Sequence, residues 1–239
     1  MKAVPRYWAV VAAAGAGTRM GGAIAKPWLP LAGRSVLEWS LAPLLALGWI
    51  DGVMLVVSAE GEKQWRRSAL HGHPRLRLVR GGAERADSVR AGLDAVSRLA
   101  TWPERTWVLV HDAARPCVST DEIGLLREQA TVPEGGLLAR PVTDTLKQHE
   151  GQRVIATHPR AGMAGAQTPQ MFPLTTLRRA LAAAAAAQQP VTDEASAIEA
   201  AGLQPRLVWG RTSNLKVTYP EDLALAAFWL QHPQPGVSA

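Results

Sequence analysis

The residues best placed to do chemistry are two cations set into a glycine-rich loop. Arg19 and Lys26 stand within Trp8 to Trp39, WAVVAAAGAGTRMGGAIAKPWLPLAGRSVLEW, among Gly15, Gly17, Gly21 and Gly22. A short apolar run, Trp8 to Ala14, leads into them. Glycine lets the main chain approach an anion and aim N–H groups at it, and fixed cations add charge, so a phosphate is the expected ligand. The competing reading is a plain glycine turn after a strand. Two familiar phosphate loops are excluded. The P-loop pattern fails because Ala23 and Ile24 follow Gly22. The dinucleotide fingerprint fails because Met20 stands where the third glycine belongs.

Three further groups bear on the same chemistry. GGAERADSV places Gly82, Ala83, Arg85 and Ser88 in a second glycine turn at a strand end. VLVHDAARP puts Asp112 at the end of an apolar strand. Open α/β sheets bind ligands at that end. One carboxylate there suits Mg²⁺, which is usually held by one or two carboxylates plus substrate phosphates. Arg115 could reach a phosphate, or could pair with Asp112 and close a turn. NLKVT presents Lys216.

Strand and helix signals alternate along the chain, which predicts an α/β fold, a Rossmann-like mostly parallel sheet with helices on both faces. Strands are expected at Trp8–Ala13, Val53–Val57, Leu76–Val79, Thr106–Val110, Gly136–Pro141 and Arg206–Trp209, with a short one at Asn214–Thr218. Helices are expected from Ser35, over Glu60–Leu70, from about Asp87, and over Ser119–Ala130, Leu174–Gln189 and Thr192–Gly202, with a last one starting at Thr218–Glu221. Gly165–Pro173, with two prolines, reads as a loop. Residues 144–157 read as two short strands about Glu150-Gly151. An isolated hairpin is marginal in water, so this one is expected to pack on a partner subunit. Residues 1–230 read as a single domain that contains the hairpin at about 142–160, and 231–239 as a disordered tail.

The chain has 239 residues, 47% hydrophobic and 19% charged, with a net charge of +6. Its cations are scattered, so a phosphate-rich small substrate explains the excess and nucleic acid is not expected. One cysteine, Cys117, excludes an intrachain disulfide and suits a reducing cytosol. Lys2 and Arg6 before YWAVVAAAGAG have some look of an export signal, but the apolar part is short and runs straight into Arg19 and Lys26. A cytoplasmic enzyme away from membranes is the expectation.

The blocks AAAGAGTRM with Lys26, GGAERADSV, VLVHDAARP, PVTDTLK, QTPQMF, TDEAS and NLKVTYPEDL follow in one order over about residues 8–230. This series closely resembles the 2-C-methyl-D-erythritol 4-phosphate cytidylyltransferases of the non-mevalonate isoprenoid pathway. The resemblance implies that CTP and the polyol phosphate give the CDP-linked alcohol and pyrophosphate, with Mg²⁺, in a homodimer whose β-arm reaches the neighbouring subunit. It assigns Arg19 and Lys26 to catalysis, Asp112 to the metal, and Ala13, Ala14, Gly15, Gly17, Gly82, Ala83 and Ser88 to the nucleotide. Arg115, Thr145, Arg160 and Lys216 would hold the polyol phosphate, Thr145 and Arg160 from the partner's arm. Both catalytic cations are expected in a solvated loop. Two positions depart from the family pattern. Pro27 follows the lysine, removing an N–H and biasing Lys26 towards extended backbone. Ala83 replaces a frequently acidic residue, which leaves base recognition more to the main chain.

The nearest rival is a cytidylyltransferase for another polyol phosphate, such as ribitol 5-phosphate. A nicotinamide dehydrogenase is disfavoured by Met20 and by Ser58-Ala59 where an acidic residue would end the second strand. A nucleic-acid-binding α/β protein would rest on net charge alone.

Overall fold

The computed structural model describes residues 4–15 and 24–232. Gly17 and Arg19, and residues 233–239 of the expected tail, lie outside them. The chain runs β1 (Arg6–Ala13), β2 (Pro30–Leu31), β3 (Arg34–Ser35), α1 (Val36–Ala46), β4 (Gly52–Val57), α2 (Ala59–Trp65), β5 (Leu76–Arg80), α3 (Arg85–Leu99), β6 (Thr106–Asp112) and α4 (Thr120–Ala130). It continues through β7 (Gly136–Pro141), β8 (Leu146–Glu150), β9 (Arg153–His158), β10 (Ala164–Pro173), α5 (Leu174–Ala186), α6 (Glu194–Ala200), β11 (Arg206–Trp209) and α7 (Asp222–Gln231).

Seven strands form one sheet in the order β11-β7-β10-β6-β1-β4-β5. Only β10 runs antiparallel to its neighbours, β6 and β7. The fold is therefore the mostly parallel, Rossmann-like α/β architecture read from the alternation of elements. Residues of β1 alternate between faces, as strand geometry requires. Ala9, Val11 and Ala13 pack with Leu37, Leu41 and Leu44 of α1 and with Ile123 and Leu126 of α4. Val10 packs with Val89, Leu93 and Val96 of α3 and with Leu174 and Leu177 of α5. A strand buried on both faces must be apolar at nearly every position, which is why the run at Trp8–Ala13 was readable.

Four local expectations change. The segment Gly165–Pro173 belongs to β10, a central strand. Its prolines fall where no ladder N–H is needed: Pro169 lies in the register break between Ala166 and Gln170, and Pro173 ends the strand. Asn214–Thr218 is irregular chain, tied by the Val217 N–H to the Ala114 carbonyl. The second helix stops at Trp65, well short of Leu70, and the chain continues in turns. The last helix begins at Asp222, whose carboxylate accepts from the N–H groups of Thr218 and Tyr219. Strands β8 and β9 form the expected separate two-stranded hairpin, with Val154 and Ile155 exposed.

Candidate active site

Two loops meet at the carboxyl ends of β1 and β5. Gly81 makes the meeting possible, since a Cβ there would stand 2.6 Å from Ala14 Cβ and 2.5 Å from Ser88 Oγ. Beside them, β6 delivers Asp112 to the same edge of the sheet. The cleft between these elements is lined by Ala12–Gly15, Lys26, Pro27, Gly82–Arg85, Ser88, Asp112–Ala114 and Lys216. The N-terminal end of α3 opens onto it, and a helix N-terminus favours an anion.

Lys26 is buried, with 9% of its surface exposed, and this corrects the expectation of a solvated lysine. It opens a 3₁₀ turn, Lys26–Trp28, closed by Trp28 N–H on the Ala25 carbonyl and Leu29 N–H on the Lys26 carbonyl. Lys26 is thus not extended as Pro27 suggested. Pro27 sits in the first turn, where an N–H has no partner within the helix and the fixed φ of proline suits the geometry.

Asp112 is the electrostatic centre of the cleft. Its Oδ1 accepts from Arg85 Nε at 3.1 Å, its Oδ2 lies 2.8 Å from Lys216 Nζ, and Arg115 Nε stands 3.9 Å away. Burial alone would raise its pKa, but these three cations outweigh burial and hold the carboxyl well below the usual range. Arg85 also donates through both terminal nitrogens, at 2.7 and 3.1 Å, to Glu194 at the start of α6. Desolvation acts against the Arg85 cation, yet its two carboxylate partners raise its pKa overall. For Glu194, burial works upward and Arg85 opposes it.

Arg115 stands behind Asp112 and is not part of the cleft lining. Its Nη1 and Nη2 donate to the carbonyls of Asn214 and Ala166. His111 is fully buried behind Asp112, and desolvation pushes its ring down to about 4. It is structural, as its place within a buried strand suggests.

Ala13, Ala14, Gly15, Lys26, Gly82, Ala83, Ser88, Asp112 and Lys216 therefore share one cleft. Arg115, Thr145 and Arg160 do not line it within this chain. Arg160 is exposed on the segment after β9 and donates to the Thr143 carbonyl. Sequence reasoning left two residues of the cluster without a role, Arg85 and Glu194. The signal was present: a glycine turn and an amphipathic helix do not account for Arg85, and Glu194 lies in the TDEAS block.

The donor set fits Mg²⁺ of one kind only. Among the described residues no group of three or more His, Cys, Asp or Glu could cage an ion. One carboxylate lining a cationic cleft suits Mg²⁺ that arrives with phosphates and shares their oxygens.

A family model for 2-C-methyl-D-erythritol 4-phosphate cytidylyltransferase matches residues 7–232. The protein of that name from Azoarcus sp. is 51% identical over 237 residues, covering 98% of this chain and 97% of the relative. That from Haemophilus ducreyi is 44% identical over 224 residues, covering 94% and 96%. A crystal structure of a 4-diphosphocytidyl-2C-methyl-D-erythritol synthase superposes with a TM-score of 0.80 at 35% identity, covering 95% of this chain and 100% of that one. The Thermus thermophilus cytidylyltransferase gives 0.74 at 31% identity, covering 93% and 98%. Loops, sheet order and relatives agree, and the chain belongs to the 2-C-methyl-D-erythritol 4-phosphate cytidylyltransferase family.

Proposed function

We propose that this protein joins CTP to 2-C-methyl-D-erythritol 4-phosphate, releasing pyrophosphate, as a cytoplasmic step of isoprenoid precursor synthesis. The observation that carries the reading is the single cleft where two glycine loops, Lys26, Asp112 and Lys216 converge. A phosphate oxygen of the polyol phosphate attacks the α-phosphorus of CTP. The new P–O bond forms as the bond from that phosphorus to the β-phosphate oxygen breaks, and pyrophosphate carries away the electron pair. No covalent enzyme intermediate is required, because the attacking phosphate is already a nucleophile.

Each residue has a task in that displacement. Charge builds on the equatorial oxygens of the α-phosphorus, and Lys26 with Arg19 lowers it. Lys26 needs no reorganisation, since its turn and its burial fix it in advance. Main chain at Ala13, Ala14, Gly15, Gly17, Gly82 and Ala83, with the hydroxyl of Ser88, holds the nucleotide. Asp112 would hold Mg²⁺, which when bound neutralises triphosphate charge. Lys216, now on Asp112, is placed to transfer its charge to an incoming phosphate. Arg115, Thr145 and Arg160 bind the polyol phosphate, the last two from the arm of a second copy of the chain. The exposed Val154, Ile155 and Met163 on and beside the arm support a homodimer. Residues 1–230 act as one nucleotidyltransferase unit. The relatives carry the methylerythritol name, and the ribitol 5-phosphate alternative is not favoured.

Among the described residues no helix is long and apolar enough to cross a membrane. The test is pyrophosphate release with CTP and methylerythritol phosphate, with and without Mg²⁺, beside a ribitol 5-phosphate control. Faster reaction of ribitol phosphate would overturn the substrate assignment. For the arm, mixing an Arg160→Ala chain with a Lys26→Ala chain is expected to restore part of the activity, and no restoration would refute the crossing.

A further inference from the structure

His111 lines no part of the cleft, yet both its ring nitrogens are committed. Nε2 lies 3.2 Å from the main-chain oxygen of Arg115, and Nδ1 lies 3.0 Å from Thr168 Oγ1. A carbonyl oxygen can only accept, so Nε2 carries the ring proton. In the neutral ring Nδ1 is then an acceptor, and the Thr168 hydroxyl donates to it. The hydroxyl oxygen in turn accepts the main-chain N–H of Asp112 at 3.1 Å. Thr168 and His111 are 4% and 0% exposed, so water does not substitute for these bonds. The far side is closed as well. Asn214 Nδ2 donates to the Thr168 carbonyl at 3.0 Å, while the Asn214 carbonyl receives Arg115 Nη1 at 2.8 Å.

The direction of this chain has a functional meaning. Its two ends are the Asp112 N–H and the Arg115 carbonyl, which bracket the turn that carries the metal carboxylate and a phosphate cation. We propose that His111 and Thr168 are positioning residues for the transfer reaction, fixing Asp112 and Arg115 relative to β10 through one oriented hydrogen-bond chain. The proposal rests on the roles given above to Asp112 and Arg115. A displacement of about 1 Å in a group that positions substrate can cost 10²-fold in rate. Neither residue lines the cleft, so the effect is expected through Asp112 and Arg115.

The experiment compares Thr168→Val with Thr168→Ser in pyrophosphate release, with circular dichroism and Tm measured alongside. Thr168→Val keeps the shape, removes the hydroxyl and leaves the Asp112 N–H and His111 Nδ1 unpaired. It is expected to lower kcat by about 10²-fold and to raise the half-saturating Mg²⁺ concentration. Thr168→Ser is expected to restore both. Two further variants separate the ends and serve if Thr168→Val does not fold. His111→Asn retains a partner for Thr168 but loses Arg115, so the polyol phosphate KM rises more than the Mg²⁺ requirement. His111→Gln retains a donor for Arg115 but loses Thr168, so the pattern reverses. A folded Thr168→Val enzyme with unchanged kcat and Mg²⁺ dependence would overturn the proposal, as would the same pattern from both His111 variants. Asp112→Asn and Arg115→Ala test the underlying roles separately. Normal Mg²⁺ dependence in the first, or a normal polyol phosphate KM in the second, would fault the role assignment itself.

Discussion

Removing the charge of Glu194 tests the electrostatic account of the cleft, because its expected cost differs from the cost of removing Arg85. The Glu194 side chain is 2% exposed and that of Arg85 is 31% exposed. Breaking a buried pair by deleting one partner costs about 3–5 kcal/mol, most of it from the charge left behind. In Glu194→Gln the charge left behind is Arg85, which keeps Asp112 at 3.1 Å and reaches solvent. The cost should fall below that range, at about 2 kcal/mol. For a domain of this size that lowers Tm by about 4–8 °C. In Arg85→Met the charge left behind is the Glu194 carboxylate, whose side chain is 2% exposed and has lost its two bonds to Arg85. The full range of about 3–5 kcal/mol then applies near neutral pH. It shrinks as the pH falls and Glu194 takes up a proton. The double variant Arg85→Met/Glu194→Gln should be more stable than Arg85→Met alone. Urea unfolding of all four proteins gives the coupling energy directly. Additive costs, with no recovery in the double variant, would refute the idea that Glu194 and Arg85 are energetically coupled.

Three more outcomes follow from the geometry. Lys26→Met should lower the rate of pyrophosphate release by about 10²–10³-fold while keeping the buried stem, so stability measured by urea unfolding should change little. The His111 ring gives a pH effect of defined sign. Burial moves its pKa from 6.5 unfolded to about 4 folded, so the unfolded state binds the proton that the folded state refuses. Stability is complete above the unfolded value and declines as pH falls towards the folded one, losing about 2 kcal/mol between about pH 7 and pH 5. Calorimetry of His111→Gln should show a flatter slope over that interval, and an equal slope would remove His111 as its source. Gly92→Ala should destabilise by about 1–3 kcal/mol, read as a lower urea midpoint, because the added Cβ would stand 2.5 Å from Val10 Cγ1.

What the sequence made legible was set by how local the cause is. Capping boxes at Ser35–Glu38 and Ser119–Glu122 need only neighbours, and both form with the expected partners. The near-continuous apolar runs of β1, β4 and β6 announce strands buried on two faces. Strand β10 was hidden because Pro169 and Pro173 signal a loop, and only the neighbouring strands reveal that Pro169 falls in a register break and Pro173 at the strand's end. The cleft was legible where glycine patterns and a strand-end carboxylate mark it, at Gly15, Gly82 and Asp112. Glu194 was not, because its partner lies 109 residues away and no local pattern links TDEAS to GGAER. The burial of Lys26 was missed for a similar reason, since nothing adjacent to a glycine loop shows what covers it.

The position of β10 gives the molecule a mechanical continuity. Its first residue, Ala164, pairs with Pro141 at the root of the β8–β9 hairpin, and its last, Pro173, pairs with Trp107 near the start of β6. Between them, Thr168 grips the main chain at Asp112. An extended segment has almost no slack along its axis, so a pull on the arm root is taken up within a few residues of that grip. The hairpin and the cleft are thus strung on one strand, and Thr168 makes its grip inside the single break in that strand's pairing with β7, between Ala166 and Gln170.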